Sequence, residues 1–162
     1  MPKVIVVYES KYGNTKRVAE AIIEGMKEIT GIEASVRERK SVDPKELRNY
    51  DAILIGSPNH RGNALHGILG FIGKVGKLKL EGKPLAVFDT YRGVYDRAKA
   101  SQFQIAIKKM EKRLIVKVPS MKLVSPGLSI MVQGKEGPIT EGELPKAKEF
   151  GARFAARLVS KS

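Results

Sequence analysis

The chain of 162 residues contains no cysteine and no tryptophan, and its only histidines are His60 and His66. Without cysteine there is no disulfide, thiolate zinc site, iron–sulfur cluster or thiol nucleophile. Two histidines are too few for a histidine-rich metal site. Aromatic residues are only 6% of the chain, and no motif that reads DNA or RNA interrupts its basic residues, so a nucleic-acid partner is disfavoured. No apolar run reaches the roughly 18 to 20 residues that cross a bilayer. Val4-Ile5-Val6-Val7 is also too short for the core of a signal peptide, and the expectation is a cytoplasmic protein.

Hydrophobic residues make up 42% and charged residues 29%, the balance of an ordinary globular protein. The length suits one domain, 1–162, able to bury its own core without a staple. The net charge is +13, and residues 83–122 carry ten lysines and arginines against three carboxylates. Part of that excess is the pair of doublets Lys108-Lys109 and Lys112-Arg113. Two readings stand: a lysine-rich solvated surface, or a face that attracts an acidic partner.

Short continuous apolar runs alternate with amphipathic stretches. Lys3–Tyr8, Ala52–Ile55 and Pro84–Phe88 read as strands buried on both faces. Glu33–Arg39 alternates weakly, as a strand nearer an edge does. Met121–Val124 and Leu128–Val132 read as one strand interrupted at Pro126-Gly127. Val18, Ile22, Met26 and Ile29 form one helical stripe; Leu65, Ile68, Leu69, Ile72 and Val75 form a second. Phe103, Ile107, Met110 and Leu114 form a third, with Leu114–Val118 open to either helix or strand. Leu144, Ala147, Gly151, Phe154 and Leu158 form the last. Asp43-Pro44 opens a short helix to about Asn49. Strand–helix alternation of this kind predicts an α/β, doubly wound parallel sheet covered on both faces. Gly67, Gly70, Gly73 and Gly76 recur every three residues along the second stripe. They fit either close approach by a partner subunit or small residues that the helix tolerates.

Polar loops follow the first, third and fourth strands, at the end of a parallel sheet where ligands bind. The first, Ser10-Lys11-Tyr12-Gly13-Asn14-Thr15, runs straight into a helix. The opening N–H groups of a helix have no intrahelical partner, and the helix dipole favours an anion there. Gly13 allows close backbone approach, while Ser10, Asn14 and Thr15 add short polar side chains. The pattern predicts a phosphate monoester site; the alternative is that Asn14 or Thr15 only caps the helix. No Gly-x-x-x-x-Gly-Lys-Ser/Thr and no Gly-x-Gly-x-x-Gly occurs, so neither a Walker loop nor a dinucleotide fingerprint is present.

The run Val7–Ala19 resembles the phosphate loop of the flavodoxin-like FMN-binding family, and in particular the short-chain flavodoxin domains of the A-type flavoproteins. The likeness continues through Ile55-Gly56-Ser57-Pro58, Pro84–Phe88 and Ser125-Pro126-Gly127-Leu128. It implies a five-stranded sheet in the order 2-1-3-4-5 and FMN as cofactor, its phosphate held by the first loop with Lys11 helping. It further implies that Pro58, Asn59, His60, Arg61, Gly62 and Asn63 line one side of the flavin ring. Thr90, Tyr91, Arg92, Gly93 and Tyr95, in a third loop taken as Asp89–Tyr95, would line the other, with Tyr91 or Tyr95 stacking on it. Tyr12 stands where the family often has Thr, and the third loop lacks the family's Trp. Family members that shuttle electrons are typically acidic around the ring, whereas here Lys11, His60, Arg61 and Arg92 fall in the loops. Cations so placed would favour the reduced anionic flavin.

No Ser-His-Asp arrangement has support, so redox chemistry would belong to the cofactor. The leading expectation is an electron carrier working with redox partner proteins, acidic ones included. An FMN-dependent NAD(P)H:quinone-type oxidoreductase is the alternative, and a binding module of the same fold that has lost flavin is a third.

Overall fold

The structure, a computed structural model, describes residues 1–93 and 102–160. Strands β1 (Lys3–Tyr8), β2 (Glu33–Glu38), β3 (Ala52–Pro58), β4 (Pro84–Arg92), β5 (Lys122–Leu123) and β6 (Leu128–Val132) alternate with helices α1 (Asn14–Lys27), α2 (His66–Val75), α3 (Ile105–Lys117) and α4 (Glu143–Ser160). All strands are parallel, in the order β2-β1-β3-β4-β5, with β6 also on β4. Six strands therefore occupy five positions, because β5 pairs with Pro84 and Leu85 while β6 pairs with Phe88–Arg92. The break has a local cause. The Gly127 N–H donates to Glu111 Oε2 at 3.1 Å, and a Cβ at Gly127 would strike the Val87 carbonyl.

The alternation of side chains along each strand makes two cores. Val4, Val6, Leu54, Ala86 and Phe88 pack under α1 and α4, whereas Ile5, Val7, Ile53, Ile55, Leu85 and Val87 pack under α2 and α3. The α1 stripe is fully buried at Val18, Ile22 and Met26. Between β2 and β3 the expected short helix is a 3₁₀ turn, Pro44–Asn49, whose first turn is capped by Asp43 accepting from Lys45 N–H. Leu114–Lys117 is helix, with the Val118 N–H closing the last turn on Leu114 O at 2.7 Å.

One expected boundary is corrected. Asp89, Thr90, Tyr91 and Arg92 do not open a loop; they continue β4 in register with β6. Polar residues hold a strand here because their side chains find buried partners. Among the described residues no helix is long and apolar enough to cross a membrane.

The α2 glycines divide into two kinds. A Cβ at Gly67 would press on the Glu9 carboxylate, which pairs with Arg39 at 2.9 Å, and one at Gly76 would meet the Lys117 backbone. Gly70 and Gly73 face open space. Packing within the chain thus accounts for two of the four.

Candidate functional site

Reversal of connection direction on either side of β1 puts the topological switch between β1 and β3, where α/β sheets open a crevice at their carboxyl ends. A cleft of about 1150 Å³ lies there. It is lined by the first loop, by the turn after β3, by the end of β4 and by the segment after β6.

The first loop has the local geometry of an anion cradle. Gly13, at φ 94, takes the left-handed conformation that admits a residue without Cβ most readily. Ser10 Oγ accepts from Gly13 N–H at 3.0 Å and from Lys16 N–H at 3.4 Å. The Ser10 O–H proton is used by neither bond. The Asn14 and Thr15 N–H groups, first in α1, have no carbonyl behind them. Thr15 and Thr90 are both buried, and their hydroxyl oxygens lie 2.9 Å apart. Two hydroxyls sharing one bond keep a second proton to donate, and both residues line the cleft. Tyr12 is the only six-membered aromatic ring among the described lining residues. The ammonium groups of Lys11 and Lys135 stand 5.8 and 5.7 Å from its centre, within cation–π range. The Asn14 amide lies close to Gly137, where a Cβ would press on it.

The turn after β3 is tightly built. His60 and Asn63 exchange backbone hydrogen bonds of 2.8 and 3.1 Å. The two residues between them, Arg61 and Gly62, have φ of 53 and 83, the signature of a primed hairpin turn. Asn59 Oδ1 accepts from Gly62 N–H at 2.7 Å, and Asn63 Oδ1 accepts from Ala64 N–H. Ser57 holds the base by accepting from Leu65 N–H. The turn's side-chain amides thus shape the backbone, while Pro58, Asn59, His60, Arg61 and Gly62 line the cleft.

Of the residues expected from the sequence, Ser10, Lys11, Tyr12, Asn14, Thr15, Pro58, Asn59, His60, Arg61, Gly62, Thr90, Arg92 and Gly93 line this one cleft. Gly13 and Asn63 are not among the lining residues; they shape the two loops through their hydrogen bonds. Tyr91 is not among the lining residues either. Strand alternation turns it away from Thr90, and its buried ring packs edge-on against Phe103, with centroids 5.7 Å apart. Burial and the Glu143 and Asp89 carboxylates push its hydroxyl above the ordinary value. Tyr95 lies outside the described residues.

Sequence reasoning missed Lys109 and Lys135, which also line the cleft. Lys109 stood in a doublet that a solvated helix face explains equally well. Lys135 belongs to Gly134-Lys135-Glu136-Gly137, a turn signal whose position opposite the first loop comes only from topology. The lining thus carries Lys11, Arg61, Arg92, Lys109 and Lys135, with His60 and no carboxylate among the described residues. Asp89 was missed as well. Its fully buried carboxylate accepts from Ser129 Oγ at 2.6 Å and from Ile107 N–H near the start of α3 at 3.2 Å. Burial pushes this carboxyl from 3.8 up to about 7, against the opposing pull of those two donors.

The sequence model of the flavodoxin domain matches residues 5–127. A protein named flavodoxin from Clostridium saccharobutylicum is 30% identical over 165 residues, spanning 96% of this chain and 97% of its own length. The NAD(P)H dehydrogenase (quinone) of Acidithiobacillus ferrooxidans is 28% identical over 103 residues, 51% of this chain and 52% of that protein. Among solved structures, a flavodoxin from the domain Archaea superposes with a TM-score of 0.78 at 26% identity, covering 97% of this chain and 99% of the other. With the family pattern spanning most of the sequence and both cores, the chain belongs to the flavodoxin family.

Proposed function

We propose that the cleft binds FMN and that the protein carries electrons between redox partner proteins. One observation supports this above the rest: the N–H groups opening α1 and the buried Thr15–Thr90 hydroxyl pair converge on one end of the cleft. Donors in that arrangement suit a phosphate dianion, and the described lining residues include no carboxylate to repel it. Bound flavin supplies one- and two-electron chemistry, and the protein supplies orientation and field. Arg61 and Arg92, in the turn and strand end that border the remaining space, can donate to the carbonyls of the flat ring. Their charge favours added electrons.

Replacing both by glutamine is expected to make the second one-electron potential of FMN-loaded protein more negative by roughly tens of millivolts. A potentiometric titration of parent and variant reads this directly, and unchanged potentials would contradict the role. The partial likeness to an NAD(P)H dehydrogenase (quinone) keeps an enzymatic reading in view. Sustained NAD(P)H oxidation by the FMN-loaded protein with a quinone would favour that reading, and its absence favours the carrier. A protein that takes up no added FMN would favour a module that has lost flavin.

A further inference from the structure

We propose that the cleft mouth and the exposed face of α3 form one docking surface for an acidic electron-transfer protein. The inference rests on the electron-carrier reading and names the partner's chemistry. Lys108, Lys109, Lys112, Arg113 and Lys117 are all exposed on α3. The helix's only carboxylate, Glu111, is buried and bonded to Gly127 N–H. Lys109 also lines the cleft, so the two basic regions are continuous.

Elsewhere part of the positive charge is matched. The five ion pairs among the described residues are Arg37–Glu46, Arg39–Glu9, Lys146–Glu143, Lys148–Glu28 and Arg153–Glu149. None of them involves α3 or a cleft-lining cation. On the opposite layer of the sheet the exposed Lys16, Arg17 and Lys27 of α1 are offset by Glu20, Glu24 and the Glu28 that follows the helix. On α3 and in the cleft lining nine cations stand against one carboxylate, the buried Glu111, among the described residues, and an acidic body approaching the molecule is steered towards that side.

Ile115 and Val116 are 59% and 73% exposed between Arg113 and Lys117. Apolar contacts inside a charged rim suit a short-lived protein encounter. A nucleic acid is less well served. The Tyr12 ring carries two lysine ammoniums and Phe103 packs edge-on to Tyr91, so none of these three rings is a bare platform for bases.

The test uses the full chain loaded with FMN and two protein probes of opposite charge. Reduced plant-type [2Fe–2S] ferredoxin, which is acidic, gives one electron to oxidised flavin. In a separate reaction, the reduced flavoprotein gives one electron to basic ferric cytochrome c. Stopped-flow rates are followed from about 20 to about 500 mM salt. The ferredoxin rate should fall at least tenfold, roughly, as salt rises, while the cytochrome rate holds or climbs. The triple variant K108E/K112E/R113E should lose about tenfold of the low-salt ferredoxin rate and keep its FMN affinity. Arg157→Glu, on α4, should change neither.

A salt-independent ferredoxin rate, or a triple variant that matches the parent, would overturn the proposal. So would tighter binding to a duplex of about 20 base pairs than to ferredoxin, by fluorescence anisotropy at equal salt. The same anisotropy readout with labelled ferredoxin needs no flavin. A protein that rejects FMN would thus contradict the carrier reading, while the docking surface stands or falls on ferredoxin binding.

Discussion

Raising the pH from 5 to 8 should destabilise the parent protein relative to Asp89→Asn by about 3 kcal/mol. The cause is the buried carboxyl under the start of α3, which protonates at about 7 in the folded state instead of near 3.8. Between those values the folded protein holds a proton that the unfolded chain has released. The stabilisation is complete below about pH 4, falls as pH rises through 7, and is flat above it. The full span, from 3.8 to about 7, corresponds to about 4 kcal/mol. Asparagine keeps the shape: its oxygen accepts from Ile107 N–H and its amide donates to Ser129 Oγ, with no proton to lose. Every other titrating group cancels in the comparison because both proteins carry it. Urea unfolding at a series of pH values checks this, and parallel stability curves for parent and variant would remove Asp89 as the source.

Gly25→Ala should cost about 3 kcal/mol, even though alanine favours a helix by about 1 kcal/mol over glycine. The α1 and α4 backbones touch at two points, where Gly25 meets the Lys148 carbonyl and Gly151 meets the Ile22 carbonyl. A methyl group at either site must push whole helices apart, because the obstacle is backbone and cannot rotate away. Gly70→Ala is the matched control. A Cβ there has nothing within 4 Å, so only the helix preference acts and stability should rise by about 0.5 to 1 kcal/mol. Thermal unfolding of the two variants gives the comparison, and a neutral Gly25→Ala would mean that the two helices do not meet as described.

The two substitutions mark the limits of what the sequence reveals. Continuous β-branched runs such as Val4–Val7 and Ile53–Ile55 announce buried parallel strands because both of their faces are apolar. The first loop is legible for a similar reason: its chemistry is local, with glycine, hydroxyls and a helix start within six residues. Asp89–Arg92 misleads because its polarity is satisfied at long range. Thr90 bonds Thr15, 75 residues away, and Asp89 bonds Ser129, 40 residues away. A strand stabilised in that manner reads as a loop, and Tyr91 with it. Lys135 and Gly25 escape notice for the same reason, since each acts on a segment that only the completed fold brings near.

Affinity for FMN against riboflavin isolates the phosphate and so tests the account at its centre. Titrating the purified protein with each flavin, by quenching of flavin fluorescence, should give FMN at least a hundredfold tighter, or about 2.7 kcal/mol. That preference should shrink when Thr15 and Thr90 are both replaced by valine. Equal affinities for the two flavins, or a preference that survives the double replacement, would contradict a dianion held by the start of α1 and this hydroxyl pair.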